Sequence, residues 1–431
     1  MNYYSTRDHQ QIVSAAQAIA CGLAPDGGLF VPESLPEVPA QQLQALCGMT
    51  YQQRAVTIMR PFLSEFTDAE LERFTAAAYG SQFDDPAVAP VHRLDDTTAF
   101  LELWHGPTCA FKDMALQILP YLLTASLKKC GEQRQVCILV ATSGDTGKAA
   151  LQGFADVPGT KILVFYPYSG VSEIQRLQMA TQAGDNVAVS AVRGNFDDAQ
   201  TGVKQIFGDI LAGWYAKEMG LPVGKLICAS NANNVLTDFI RTGTYNKNRP
   251  FHTTASPSMD ILVSSNLERL LYALCGSDAE VAGYMQQLRE QGSYTVSDAL
   301  KAKIQEVFAG GFCNDIQTRE KIGHAWRDHR YLIDTHTAVA YHVLDDYRRE
   351  TGDTTPSVVV STASPFKFCD QVLRGIGGTA DAFGPELIRR LSCETQIDAP
   401  APLTGLDARP VRFGGCVDKA QMLHTVDEFL K

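Results

Sequence analysis

The feature that most constrains this chain is a series of short, β-branched apolar runs set between helical patterns. From about Thr98 the runs read QVCILVAT, KILVFYP, NVAVSAV, KLICAS, DILVSS and SVVVSTA. Each is strand-length and almost continuously apolar, the pattern of a strand buried on both faces. Strands that alternate with amphipathic helical segments build βαβ units, because parallel neighbours need a long crossover. The spacing predicts an α/β fold of two open, twisted, mostly parallel sheets flanked by helices. Residues 1–90 read differently. IVSAAQAIACGLA has helical spacing and closes in the turn-rich APDGGLFVPESLP, so a mainly helical N-terminal extension is expected.

Composition narrows the class. The 431 residues are 45% hydrophobic and 20% charged, enough for two or three domains with sizeable cores. A formal net charge of −11 argues against non-specific binding to nucleic acid or to an anionic membrane. The eleven cysteines include no CxxC pair and no companion histidine cluster. No metal site is therefore expected, and the thiols read as those of a reduced, cytoplasmic protein. The polar start MNYYSTRDHQQ shows no secretory pattern, and no apolar run reaches the ~18 residues of a membrane span.

Three motifs carry chemistry. In LWHGPTCAFKDMALQILPYLL, from Leu103, Lys112 sits in mostly apolar company. An isolated lysine there ordinarily snorkels to solvent. Here HGPT signals a turn, and Thr108 or Asp113 is a candidate cap for the helix that follows. A helix start and an apolar setting both disfavour an ammonium. An amine that is neutral near pH 7 attacks aldehydes, notably pyridoxal phosphate (PLP).

The second motif is VCILVATSGDTGKAALQGFA, a strand ending at Ala141, a glycine turn and a helix. Such a helix start offers backbone N–H groups to an anion, and Thr142, Ser143 and Thr146 add hydroxyls. A plain strand–helix loop with Asp145 or Thr146 as N-cap explains the same residues equally well. Neither the P-loop nor the GxGxxG spacing is present. The third, PSVVVSTASPFKF, puts Ser361, Thr362 and Ser364 at a strand's carboxyl end, where ligands bind in open α/β sheets. A capped strand end accounts for them as readily. Asp197, Asp198, Thr337 and His336 read as caps or structural groups.

Taken together, GLAPDGGLFVP, ELWHGPTCAFKDMALQ, ATSGDTGKAA, QMATQAGDNVAVSAVRGNFDDAQ, HTAVAY and STASPFKF resemble, in order and over nearly the whole chain, the threonine synthase family of fold-type II PLP enzymes. The resemblance implies an N-terminal helical domain at 1–95, a PLP-binding α/β core at 96–380 with the cofactor between its sheets, and a C-terminal tail at 381–431. It implies that Lys112 forms the Schiff base and shuttles protons, with Phe111 and Asp113 flanking it. Thr362 would hydrogen-bond the pyridine nitrogen and Asp145 would approach the cofactor. Thr142, Ser143, Gly144 and Thr146 would cradle the substrate carboxylate. The family converts O-phospho-L-homoserine and water to L-threonine and phosphate. Oligomeric state is not readable.

One stretch departs from the family. Between GNFDDAQTGVKQ and ILAGWYAKEMGLP the family carries an SxNSINxxR segment, a helix, and a strand ending in a GNFGD loop that cups the cofactor phosphate. This chain reads QIFGDILAG, leaving Phe207 and Gly208 as candidates for that phosphate. The comparison implies an internal deletion near residues 205–210 and the loss of a central strand. It leaves two alternatives beside the main reading. One is another PLP lyase of the same fold, a phospho-lyase or hydroxy-amino-acid dehydratase. The other is a catalytically impaired remnant. Lys148 stands either as a further cation for the substrate or as a solvated lysine.

Overall fold

The computed structural model describes residues 1–142, 144–168, 171–193, 208–264 and 266–431. Its amino-terminal part holds strands Asn2–Ser5 (β1), Val13–Ser14 (β2) and Phe30–Pro32 (β3), and helices Ala15–Cys21 (α1), Ala40–Leu46 (α2), Tyr51–Met59 (α3) and Asp68–Ala78 (α4). Reciprocal capping boxes, Ser14 with Gln17, Thr50 with Gln53 and Thr67 with Glu70, set the starts of α1, α3 and α4. The helices expected here are present. So is an antiparallel sheet in the order β2-β1-β3, whose strands are too short to show a two-residue period.

The extension is anchored at two places. Phe66, Leu71 and Phe74 share an apolar cluster with Ile118 and Leu122 of the core. Arg7 meets the buried carboxylate of Glu268 through Nε and Nη2 at 2.7 and 2.8 Å, and Thr6 Oγ1 donates to the same group at 2.6 Å. The paired contacts compensate the desolvation of Glu268.

Beyond it the chain alternates as predicted. In order come Val91–Arg93 (β4), Thr98–Glu102 (β5), Asp113–Leu116 (α5), Leu119–Lys129 (α6), Val136–Ala141 (β6), Asp145–Phe154 (α7), Thr160–Pro167 (β7), Glu173–Ala180 (α8) and Val187–Arg193 (β8). Then follow Gly208–Glu218 (α9), Leu226–Ser230 (β9), Val235–Thr242 (α10), Thr244–Asn246 (β10), Leu267–Cys275 (α11), Asp278–Glu290 (α12), Ser293–Thr295 (β11), Asp298–Val307 (α13) and Phe308–Phe312 (β12). Asp315–His329 (α14), Thr335–Thr351 (α15), Ser357–Ser361 (β13), Cys369–Ile376 (α16), Pro385–Thr395 (α17), Cys416–Asp418 (β14) and Met422–Leu430 (α18) complete it.

One sheet, β14-β8-β7-β6, is wholly parallel. Its central strand β7 is almost fully buried, with Ile162 and Val164 at 0% exposure. The other mostly parallel sheet stands in two pieces. β13 and β5 are parallel with β4 antiparallel at the edge, and β9 pairs in parallel with β12. A short antiparallel pair, β10-β11, lies apart. The tail from residue 381 supplies β14, so it contributes a strand to the first sheet.

DILVSS is not a strand. Ile261 to Ser264 run as a loop, tied by the Tyr245 hydroxyl, which donates to Leu262 O at 3.0 Å and accepts from Ser264 N at 2.7 Å. Three apolar residues do not by themselves distinguish a strand from a buried loop. Conversely, FAGGF forms β12 although glycine is unfavourable in strands. A Cβ on Gly310 would lie 3.1 Å from Thr237 Cα, and one on Gly311 would lie 2.6 Å from Val343 Cγ1, so α10 and α15 press on the strand too closely for a side chain. Among the described residues no helix is long and apolar enough to cross a membrane.

Candidate active site

Lys112 is buried, at 7% exposure, on the residue immediately before α5. Its Nζ lies 3.5 Å from the centroid of the Phe111 ring. The loop that carries it is stitched to the carboxyl end of β13. Leu103 N donates to Ser361 O at 2.9 Å, Phe111 N to Thr362 O at 2.7 Å and Ser364 N to Cys109 O at 3.1 Å, with an isolated antiparallel bridge between Ala110 and Ala363. The structure thus brings Lys112 and Thr362, far apart in sequence, to one strand end. Thr362 is half-buried, and its hydroxyl makes no hydrogen bond among the described residues.

The turn before Lys112 is held by Asp113, not the other way round. The buried Asp113 carboxylate accepts from Thr108 N at 2.8 Å, Thr108 Oγ1 at 2.9 Å and Gln117 Nε2 at 3.0 Å. Burial pushes its pKa up to about 6, against those hydrogen bonds. The carboxylate also sets the residue at 106: a Cβ on Gly106 would lie 2.5 Å from Asp113 Oδ2.

A second layer joins this turn to the glycine loop. Lys367, fully buried, donates from Nζ to Thr108 O at 2.8 Å and pairs with Asp145 Oδ1 at 2.8 Å. Gln175 Nε2 donates to the same carboxylate at 2.8 Å. Burial alone would raise the Asp145 pKa, but the Lys367 ammonium outweighs it and holds the group below the usual carboxylate range. Neither Asp145 nor Thr146 caps α7. The N-cap is Gly144 at φ 130°, a backbone conformation open to glycine, and a Cβ there would meet Gln175 Cδ at 2.7 Å. Thr142 Oγ1 accepts from the backbone N–H of both Gly144 and Gly147 at 2.9 Å, so it shapes the loop. Thr146 is half-buried on the first turn of α7. Ser143 and Phe207 lie outside the described residues, as do Asp197 and Asp198. Gly208 is the first residue of α9, whose Leu211 and Trp214 share an apolar cluster with Cys228 of β9.

Lys148 is not a solvated lysine. It is buried and donates to Gln152 Oε1 at 3.2 Å and to Gln182 Oε1. Burial brings its pKa down to about 7. His336 Nε2 accepts from Ser258 N at 3.1 Å, which places its proton on Nδ1, 2.6 Å from Asp334 Oδ2. Asp334 also caps α15 by accepting from Thr337 N, and Thr337 Oγ1 reaches Ser361 Oγ at 3.1 Å.

Sequence reasoning missed Lys367 as a site member, although it stands inside the STASPFKF motif. It also missed a cluster around His105. That ring lies between Asp84 Oδ1, 2.6 Å from Nδ1, and Glu102 Oε2, 2.8 Å from Nε2. Tyr331 donates to the other oxygen of Glu102. Burial lowers the His105 pKa, but the two carboxylates prevail and raise it. No sequence spacing links residues 84, 102, 105 and 331.

Open α/β sheets, a buried lysine against a strand's carboxyl end, and a glycine loop at a helix start place a candidate ligand site of an α/β enzyme at the strands' carboxyl ends. The comparisons with known proteins specify it. Residues 2–79 match the threonine synthase N terminus family model, and residues 337–426 match the C-terminal threonine synthase model. The chain is 36% identical to threonine synthase of Pseudomonas aeruginosa over 441 positions, covering 90% of this chain and 93% of that protein. It is 32% identical to that of Methylobacillus glycogenes, covering 96% of each. A PLP-bound threonine synthase from Brucella melitensis superposes with TM-score 0.88 at 33% identity, over 100% of this chain and 98% of the other. The chain belongs to the threonine synthase family.

Proposed function

We propose that the protein acts as a PLP-dependent threonine synthase, a lyase that takes O-phospho-L-homoserine and water to L-threonine and phosphate, with Lys112 as its cofactor lysine. The observation that carries this is the seating of buried Lys112, its Nζ over the Phe111 ring, on a loop stitched to the β13 end that bears Thr362.

The residues fit the cofactor at its two reactive ends. Lys112 offers an amine for the aldehyde carbon. Thr362 offers a hydroxyl to the ring nitrogen, a neutral partner that does not protonate it. Gly208 opens an eleven-residue helix, whose N-terminal partial charge suits a phosphate. When bound, PLP supplies an electron sink that lets protons leave carbons near the substrate's amino nitrogen. Lys112 Nζ then accepts and returns those protons. Thr142, Gly144 and Thr146 receive the substrate carboxylate beside the start of α7. Asp145, locked by Lys367 and Gln175, keeps that loop and the Lys112 turn in register. The substrate's phosphate, carried on Cγ, leaves, and water adds at Cβ. We place the protein in the cytoplasm, in keeping with its free cysteines.

The test is spectroscopic first. The purified protein with PLP should show a band near ~410–420 nm that Lys112→Ala removes. Phosphate release from O-phospho-L-homoserine should accompany threonine formation. No band with the unaltered chain would sink the reading, and 2-oxobutyrate as product would move it to a dehydratase.

A further inference from the structure

The end of β13 that bears Thr362 is held by the segment that carries Lys112. Leu103 N and Phe111 N donate to Ser361 O and Thr362 O, and Ser364 N donates to Cys109 O. These are backbone bonds. A fourth is borne by a side chain: Trp104 Nε1 donates to Ser361 Oγ at 3.1 Å. Its direction is fixed, because an indole N–H only donates. The links beyond it are fixed too. Ser361 is buried, and its Oγ lies 3.1 Å from Thr337 Oγ1. Thr337 Oγ1 gives its proton to the Asp334 carboxylate, which only accepts. Ser361 Oγ therefore receives from Trp104 and donates to Thr337. With each hydroxyl proton along this path committed, Ser361 Oγ keeps one orientation next to Thr362.

Trp104 is in turn set by His105. Their rings stack with centroids 4.2 Å apart and planes at 19°. The His105 ring sits between two carboxylates, Asp84 at Nδ1 and Glu102 at Nε2, at 2.6 and 2.8 Å. A neutral imidazole has one N–H, and a carboxylate has none to offer. Only an imidazolium satisfies both contacts at once. The same cation lies against the indole face, where the ring quadrupole attracts it. The charged and titratable groups around it are Asp84 from the loop before β4 and Glu102 at the end of β5. Beyond Glu102 stand the Tyr331 hydroxyl, which donates to Glu102 Oε1, and His92 of β4, stacked on Tyr331 at 4.1 Å. When the proton leaves, one carboxylate faces a lone pair. Glu102 is 11% exposed and keeps its Tyr331 bond, whereas Asp84 is 51% exposed and turns to water, so the ring is released on the Asp84 side.

We infer that Trp104 is a positioning residue for Thr362, and that the charge on His105 decides how firmly Trp104 holds it. With His105 protonated, the stack fixes the indole and its N–H stays on Ser361. With His105 neutral, the stack loosens, and the strand end next to Thr362 loses its side-chain tie to the Lys112 segment. The action is indirect: His105 works through Trp104, and Trp104 through Ser361. The role toward Thr362 rests on the cofactor contact proposed above for its hydroxyl. The coupling of His105 to Trp104 does not.

Two measurements test it, one of them independent of PLP. In the full chain without added PLP, the emission of Trp104 is the part that Trp104→Phe removes. A stacked imidazolium quenches an indole, so that part should rise at least ~2-fold from about pH 6 to about pH 9, and His105→Gln should flatten the rise. In the PLP-loaded enzyme, Trp104→Phe keeps an aromatic ring but lacks the N–H. Its kcat should fall at least ~5-fold with KM changed less than ~2-fold, while the band near ~410–420 nm stays, because Lys112 is untouched. Ser361→Ala should lower kcat similarly, and the double variant should lower it no further. The ratio of kcat between the unaltered protein and His105→Gln should shrink from about pH 6 to about pH 9. Trp104 emission that does not change with pH overturns the inference, as does full kcat in Trp104→Phe with the band intact. An unaltered chain that shows no band sinks the Lys112 reading and the Thr362 role with it, while the emission still decides the coupling of His105 to Trp104.

Discussion

Lys367 and Asp145 form a fully buried ion pair, Nζ to Oδ1 2.8 Å, that ties the strand-end motif holding Thr362 to the glycine loop at the start of α7. Each partner has a further hydrogen bond, Lys367 to Thr108 O and Asp145 from Gln175. Removing one partner leaves an uncompensated buried charge. Lys367→Met and Asp145→Asn are each expected to cost about 3–5 kcal/mol in urea unfolding. The double variant should cost clearly less than their sum, which a double-mutant cycle measures. Additive costs would show the pair uncoupled.

His105 predicts a pH dependence of definite sign. Its folded pKa is raised by Glu102 and Asp84, so the folded state holds the proton more tightly than the unfolded chain. The stabilisation is fully present below the unfolded value of about 6.5 and is lost as pH rises through the raised folded value. Glu102, held below the usual carboxylate range chiefly by His105 and Tyr331 against its burial, stays ionised through that window. His105→Gln should therefore narrow the Tm difference from the wild type as pH is raised from 6 to 9. A constant difference would remove His105 from the role.

Lys148 works in the opposite sense. Burial has brought its pKa down to about 7, so between that value and its unfolded value of about 10.4 the unfolded chain binds more protons than the folded one. Stability from this group rises with pH across that window. Lys148→Met loses the dependence. Its stability relative to wild type should be most favourable near pH 7 and should fall off toward pH 10. Urea midpoints at the two pH values decide it.

Gly106 is predicted to be irreplaceable for a steric reason. The atom a Cβ would meet belongs to an Asp113 carboxylate pinned by three hydrogen bonds, so it cannot swing away. Gly106→Ala should destabilise by about 1–3 kcal/mol. It should also lower the 410–420 nm absorbance at limiting PLP, because the displaced turn carries Lys112. An unchanged urea midpoint would show that the turn has room.

What the chain's sequence determined by itself was the local kind of structure. Five of the six β-branched runs are parallel strands, β6, β7, β8, β9 and β13. The turn and helix punctuation around HGPT and TSGDTG was likewise legible, because glycine and proline mark turns locally. What only the tertiary structure decided was pairing. Which strand lies beside which depends on contacts between residues remote in sequence. That is why FAGGF is a strand, why DILVSS is not, why Lys367 faces Asp145, and why His105 is gripped by residues 84 and 102.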